Sequence, residues 1–426
     1  LLNLLEETNA PGEWCIDYPD QTIYLYPPDD LRKIRLYLGI SSEPTLALDN
    51  VSHVIIRGLT FEYGLGEAIR IKGGDHVLIA GCTVTDVDKY AIRVDGGFAD
   101  TVLSCDLSDL GAGGVWLAGG DDTTTPRKPA GHRVINNHIH HFSEIEKVYT
   151  PAVNCGYAGG TAHYPCVGCL VAHNLIHDTP HGGICYGSWD NVFEYNEIFR
   201  YCLTSNDLGA FYSYGRYDVM GNETFRYNLI HDSAQGDGIY FDWDHRDMHV
   251  HGNIIDLKSS GAKGCGLLYK VGTQTDKQFA SDPADRQRID CHDNVVVHCK
   301  IGGQFFIPER PTSRIENNVA IECVTPWNVA TIAGGKASKV SASALSSSNR
   351  SYQENPGFAD IARLDFGLKP DAQLLRDVPG FQPIPVTQIG LYADEYRKSL
   401  PSDEEIDRLC THTSIGGAAY GIEDRK

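Results

Sequence analysis

Two stretches of the chain place acids beside aromatic residues. In "SNDLGAFYSYG", Ser205 to Gly215, Asp207 stands directly before a run of small and aromatic residues that reads as a short strand. "GDGIYFDWDHRD" repeats the Gly-x-aromatic-aromatic pattern at Gly238 to Phe241 and ends on Asp242 and Asp244, with Asp237 in front. Paired carboxyls suit cleavage of a glycosidic bond: one protonates the leaving oxygen while the other attacks the sugar carbon or activates water, at separations of about 5 Å or about 6.5 to 9.5 Å. Asp207 and Asp242 are the candidate catalytic pair. Aligning Gly209 with Gly238 puts Asp207 before its strand and Asp242 after its own, about six residues out of register, so Asp237 and Asp244 are rivals for the second acid.

The side chains nearby fit the same chemistry. Tyr212, Tyr214, Tyr240 and Trp243 offer apolar faces to a sugar ring and polar atoms to its hydroxyls, or else form an aromatic ladder inside the fold. His181 in "TPHGGI" falls one coil before Asp207 and can orient a substrate, and Lys270 in "GLLYK" can contact substrate or set the charge state of an acid. His140, His177 and His231 recur at a fixed offset in the repeat, which assigns them to bends rather than to catalysis.

Composition limits the partners. The 426-residue chain has 42% hydrophobic residues and a formal charge of −20, which supplies a sizeable core and disfavours nucleic acid, whose recognition relies on clustered Lys and Arg. The sequence contains no apolar run long enough to span a membrane, and "LLNLLEETNAPGEW" is too short and acidic for a signal peptide. The 13 cysteines are odd in number and mostly scattered, which favours reduced, buried thiols and a cytoplasmic setting; a secreted protein with a truncated N-terminus is the other reading. Cys166, Cys169, His173 and His177 superficially make a zinc set, but the three residues between Cys169 and His173 are far fewer than the about 12 a finger needs to fold back. No metal and no cofactor is implied.

What must position these residues is a repeat. Segments such as "INNHIHHF", "AHNLIHDT", "EYNEIFRY", "RYNLIHDS" and "HGNIIDLK" align on one column: Leu59, Cys82, Cys105, Asn137, Asn174, Asn196, Asn228, Asn253, Asn294 and Asn318. The smallest steps are about 22 to 25 residues, and longer ones add a loop. Short alternating aliphatic runs within each period predict an all-β fold, a right-handed parallel β-helix of about ten coils. The expected organisation is a lead-in segment over 1–50, the β-helix over 51–335 and an irregular C-terminal segment over 336–426 packed on it, with a loose tail. Asn suits the column because it tolerates a left-handed bend and its amide can bond to the Asn of the next coil.

The lead-in "LEETNAPGEWCIDYPDQTIYLYPP", the coils "NNHIHHF", "PAVNCG", "AHNLIHDTPHGGI", "NDLGAFYSYG" and "DGIYFDWD", and the closing "NPGF", "FGLKP" and "IGLYADEYR" resemble the β-helical enzymes of glycoside hydrolase family 141 and relatives in the pectin-lyase-like superfamily. The resemblance covers nearly the whole chain. It implies hydrolysis of plant cell-wall glycans bearing fucose or xylose, by a pair of aspartates that would fall on Asp207 and Asp242. Family members usually carry further N-terminal sequence, so the first coil is expected to be an open end that a second copy or an absent N-terminal segment covers. A polysaccharide lyase or epimerase on the same fold, and a non-catalytic glycan-binding solenoid, are the alternatives.

Overall fold

The computed structural model describes residues 4–157, 164–214, 220–242, 245–260, 264–270, 288–308, 313–333, 336–339 and 346–409. Trp243 and Asp244 lie outside them. The chain divides into two compact units, Leu1–Ile40 with Ser399–Lys426, and Ser41–Lys398. In the first, strands Trp14–Asp17 and Thr22–Leu25 pair as an antiparallel hairpin, and Asp403–Leu409 is a short helix.

The second unit is the coiled one. In its three large sheets each strand pairs in parallel with the strand three further along, so successive coils stack into sheets of 10, 11 and 12 strands; the last strand of the largest, Lys336–Lys339, turns back antiparallel, and Phe358–Asp360 and Asp365–Leu368 form a separate antiparallel pair. This is the right-handed β-helix that the repeat predicts. Inward positions carry Ile, Val, Leu and Phe, which form one continuous core from Leu48 to Val329. The cysteines among the described residues are all free and buried.

The Asn column stacks as expected, though one part of its rationale needs correcting. From Asn137 to Asn318, each buried side-chain Nδ2 donates to the Oδ1 of the next Asn at 2.9–3.0 Å, and the ladder continues to Asn349. Each Oδ1 also accepts the backbone N–H one coil earlier, as Asn228 does from Asn196, and Nδ2 donates again to a carbonyl such as that of Phe193. The left-handed residue is the one before each rung: Ser104, Asn136, His173, Tyr195, Tyr227, Asp293 and Asn317 have φ of 53–59°. The rung Asn therefore serves the bend through its amide, not through its backbone. Cys105 sits at the foot of the ladder, its N–H bonded to Asn137.

The C-terminal segment runs back along the 11-stranded sheet. Phe358, Phe366, Leu374, Val378 and Phe381 pack on outward Ile254, Val295, Val297, Val319 and Ile321. Farther along, the backbone N–H of Tyr392 donates to Asn136, and the Arg397 guanidinium to the Cys105 carbonyl. The repeated histidines end strands rather than occupying bends. His140, His177, Phe199 and His231 form a ring stack on the outer face of this sheet with 4.7–5.0 Å between centroids.

Candidate active site

Strands Gly209–Tyr214 and Asp237–Asp242 are neighbours in the 12-stranded sheet, with Gly209 opposite Asp237, Tyr212 opposite Tyr240 and Tyr214 opposite Asp242. The expected pairing of Gly209 with Gly238 is therefore off by one residue. Gly238 belongs to a column of small residues, with Ala210 and Gly266 as its neighbours, that faces the next coil closely: a Cβ at Gly238 would lie 2.4 Å from the Gly266 carbonyl oxygen. A shift of one residue exchanges the faces of a strand. The true register sets Tyr212 and Tyr240 side by side, both nearly fully buried, their rings 5.2 Å apart at 74°.

Asp207 lies in the exposed bend before the first strand, and Asp242 ends the second, 6% exposed. They meet through other groups. The Tyr240 hydroxyl donates to Asp207 Oδ1 at 3.4 Å and also receives the Lys270 ammonium. Lys270 Nζ is 3.2 Å from Asp242 Oδ1, and the Tyr212 hydroxyl donates to Asp242 Oδ2 at 3.2 Å. Lys270 also stands 4.4 Å from the Tyr240 ring centroid, a cation over an aromatic face. Tyr240 thus spans the register gap that the sequence leaves between the two acids, because a side chain that long leans along its strand.

Asp237 joins the cluster from the start of its strand. Its Oδ1 accepts the Cys265 N–H at 2.6 Å. Burial pushes its carboxyl up to about 6, with the charges of Asp207 and Asp242 adding to the rise and Lys270 opposing it. Burial and the negative charge of Asp242 likewise push the Tyr240 phenol up, so it stays a donor.

His181 reaches the cluster through a residue that sequence reasoning missed. Its Nδ1 accepts the Tyr149 N–H at 3.3 Å, and burial lowers its pKa to about 4, so the ring is neutral. The Tyr149 ring packs edge-on to His181 at 4.9 Å and lies 5.8 Å from Tyr157 and 6.3 Å from Tyr212. Tyr149 and Tyr157 come from irregular segments flanking the strand Val153–Cys155, where no periodic signal marks them. Tyr214 packs half-buried against the core beside Asp242.

Farther along the same column stands Trp116, with the Arg93 guanidinium 4.7 Å over its ring. Cys166 and Cys169 are buried with sulfurs 3.5 Å apart, while His173 stacks on Tyr195 and His177 lies in the histidine stack, so the four do not converge. Among the described residues, no helix is long and apolar enough to cross a membrane.

No curated protein sequence matches the chain. Among solved structures it is similar to a glycoside hydrolase at 13% identity and TM-score 0.44, covering 93% of this chain and 61% of that one. The complex of alginate lyase AlyF-OU02 with G6 is similar at 13% identity and TM-score 0.39, covering 81% and 90%. The Dettilon tailspike protein is similar at 15% identity and TM-score 0.32, covering 66% and 55%. The chain therefore spans about three fifths of that glycoside hydrolase. Residues 44–270 match the family described as right handed beta helix region. That match covers more than half of the sequence and coincides with the stacked parallel sheets, so the chain belongs to the right-handed β-helix family.

Proposed function

We propose that the protein is a carbohydrate-active enzyme, a glycoside hydrolase acting on plant cell-wall glycans with fucosyl or xylose units, with Asp207 and Asp242 as its carboxyl pair. The observation that carries this reading is the convergence of both acids on the Tyr240 hydroxyl and the Lys270 ammonium, on the outer face of a sheet lined with aromatic rings. Asp242, held by an ammonium and a phenol, suits the base or nucleophile, which leaves Asp207 as the proton donor. Asp237 is the competitor for that role, since burial keeps its proton at mildly acidic pH. Exposed Tyr149 offers a ring face for a pyranose, with buried Tyr157, Tyr212 and neutral His181 packed behind it.

One observation favours a second reading. The contact of Lys270 with the Tyr240 phenol is also an arrangement for removing the proton beside a uronate carboxylate, as a lyase or epimerase does. A screen of aryl glycosides and plant polysaccharides separates the two. Hydrolysis releases new reducing ends without an unsaturated product, whereas an ultraviolet-absorbing unsaturated product from pectin or alginate establishes elimination and overturns the hydrolase reading.

A further inference from the structure

The first two full coils carry a second group of side chains with chemistry of its own, well before the acid cluster in the chain. Ser52 pairs with Asp75 and Asp75 with Phe98 as isolated parallel bridges, which brings one bend of three successive coils into register. The next residue in each bend is left-handed: His53 at φ 57°, His76 at 55° and Ala99 at 56°. Because the two bends share one backbone conformation, the imidazoles of His53 and His76 stack, with centroids 5.0 Å apart and planes 25° apart. Asp75 Oδ2 lies 2.8 Å from His76 Nδ1. One ligand atom from each of His53, Asp75 and His76 lies within 4.8 Å of the others, the one such trio among the described residues. The third coil ends the column, because Phe98 and Ala99 bring no ligand.

We propose that His53, Asp75 and His76 form a binding site for a divalent transition metal, Zn²⁺ in the first instance, that clips the first two coils together. Two imidazoles and a carboxylate are ligands that a borderline cation prefers to oxygen-seeking Ca²⁺ or Mg²⁺. Ligand atoms around a tetrahedral Zn²⁺ stand about 3.4 Å apart, given bonds near 2 Å. With Asp75 Oδ2 and His76 Nδ1 at 2.8 Å and all three ligand atoms within 4.8 Å, the trio needs only a small adjustment, which its exposed imidazoles can make by changing rotamer. The backbone beneath is already fixed. The His53 N–H donates to the Asp75 carbonyl at 3.0 Å and the His76 N–H to the Phe98 carbonyl at 2.9 Å. The bends also touch so closely that a Cβ at Gly74 would fall 1.9 Å from the Val51 carbonyl oxygen. Three protein ligands leave a coordination position for water, and a cation binding only the folded coils must stabilise them.

The test is calorimetric titration of the full chain with ZnCl₂, with CaCl₂ as a control, followed by Co²⁺ absorbance. We expect saturable binding of one Zn²⁺, no comparable Ca²⁺ binding, and at least a tenfold loss of Zn²⁺ affinity in His53→Ala and in His76→Ala. The metal-free melting temperature of both variants should be unchanged, because both rings are exposed. The Co²⁺ spectrum should lack the thiolate charge-transfer band that binding at cysteine would produce. Absence of saturable Zn²⁺ binding, affinity undisturbed by both His variants, or a thiolate band would each overturn the proposal.

Discussion

At the scale of single residues, the acid cluster is a set of charges whose positions decide which group holds a proton. Asp237 is the clearest case. Its carboxyl, normally near 3.8, is pushed up to about 6 by burial and by its acidic neighbours. The folded state therefore disfavours ionised Asp237, and the stability this residue contributes is present below about pH 4 and is lost as pH rises through about 6. Asp237→Asn should flatten that dependence: melting temperatures measured from pH 4 to 7 should show the variant gaining on the parent chain between about pH 4 and 6 and keeping that gain above it. Parallel curves for the two proteins would mean that Asp237 titrates normally. Lys270→Met should act differently, removing the ammonium between Tyr240 and Asp242 and lowering turnover at least tenfold, with the coil packing intact by circular dichroism.

At the scale of elements, stacked backbone geometry brings the cluster together, and the ladder of Asn side chains holds the stack. Asn228→Ala would remove the acceptor of both the Asn196 N–H and its Nδ2, and the donor to the Phe193 carbonyl, all buried. Unsatisfied buried groups of this kind cost on the order of 3 kcal/mol together. Urea denaturation should show a loss of that size, and a loss below 1 kcal/mol would mean that the ladder is not a main support. Gly238→Val should also destabilise, by about 2 kcal/mol or more, because the facing carbonyl of Gly266 leaves no room for a side chain. The same elements explain what was legible in the sequence. The Asn column could be read because one buried amide is needed on every coil, so the same letter returns each period. The strand register could not, because Gly209 and Gly238 are the same letter in different columns, Gly209 opposite Asp237 and Gly238 against the Gly266 carbonyl. Tyr149 and Tyr157 were invisible for a related reason: they come from irregular chain that follows no period.

At the scale of the whole molecule, the β-helix makes a continuous outer face on which residues distant in sequence become neighbours at each coil step. Asp207 comes from the bend before one strand, Tyr240 and Asp242 from the next strand of the same sheet, and Lys270 from the residue after the strand Cys265–Tyr269 that follows. This is why the acids, Tyr240 and Lys270 could each be nominated from sequence while the contacts that join them could not. Lys270 was read there as a substrate contact or a charge acting on an acid, and the stacking that presses it onto Tyr240 belongs to the fold. The acidic balance of the chain, −20 overall, agrees with a neutral glycan better than with a polyanion.

The central claim is that Asp207 and Asp242 together break the glycosidic bond. Its most direct test is the turnover of Asp207→Asn, Asp242→Asn and Asp237→Asn against one aryl glycoside with a good leaving group, chosen from the substrate screen. An amide keeps the size of the acid but can neither deliver a proton nor attack a sugar carbon, so loss of either member should cost on the order of a hundredfold or more. The account predicts severe losses for Asp207→Asn and Asp242→Asn with their melting temperatures preserved, and a smaller loss for Asp237→Asn. Near-normal turnover in Asp207→Asn or Asp242→Asn would contradict it.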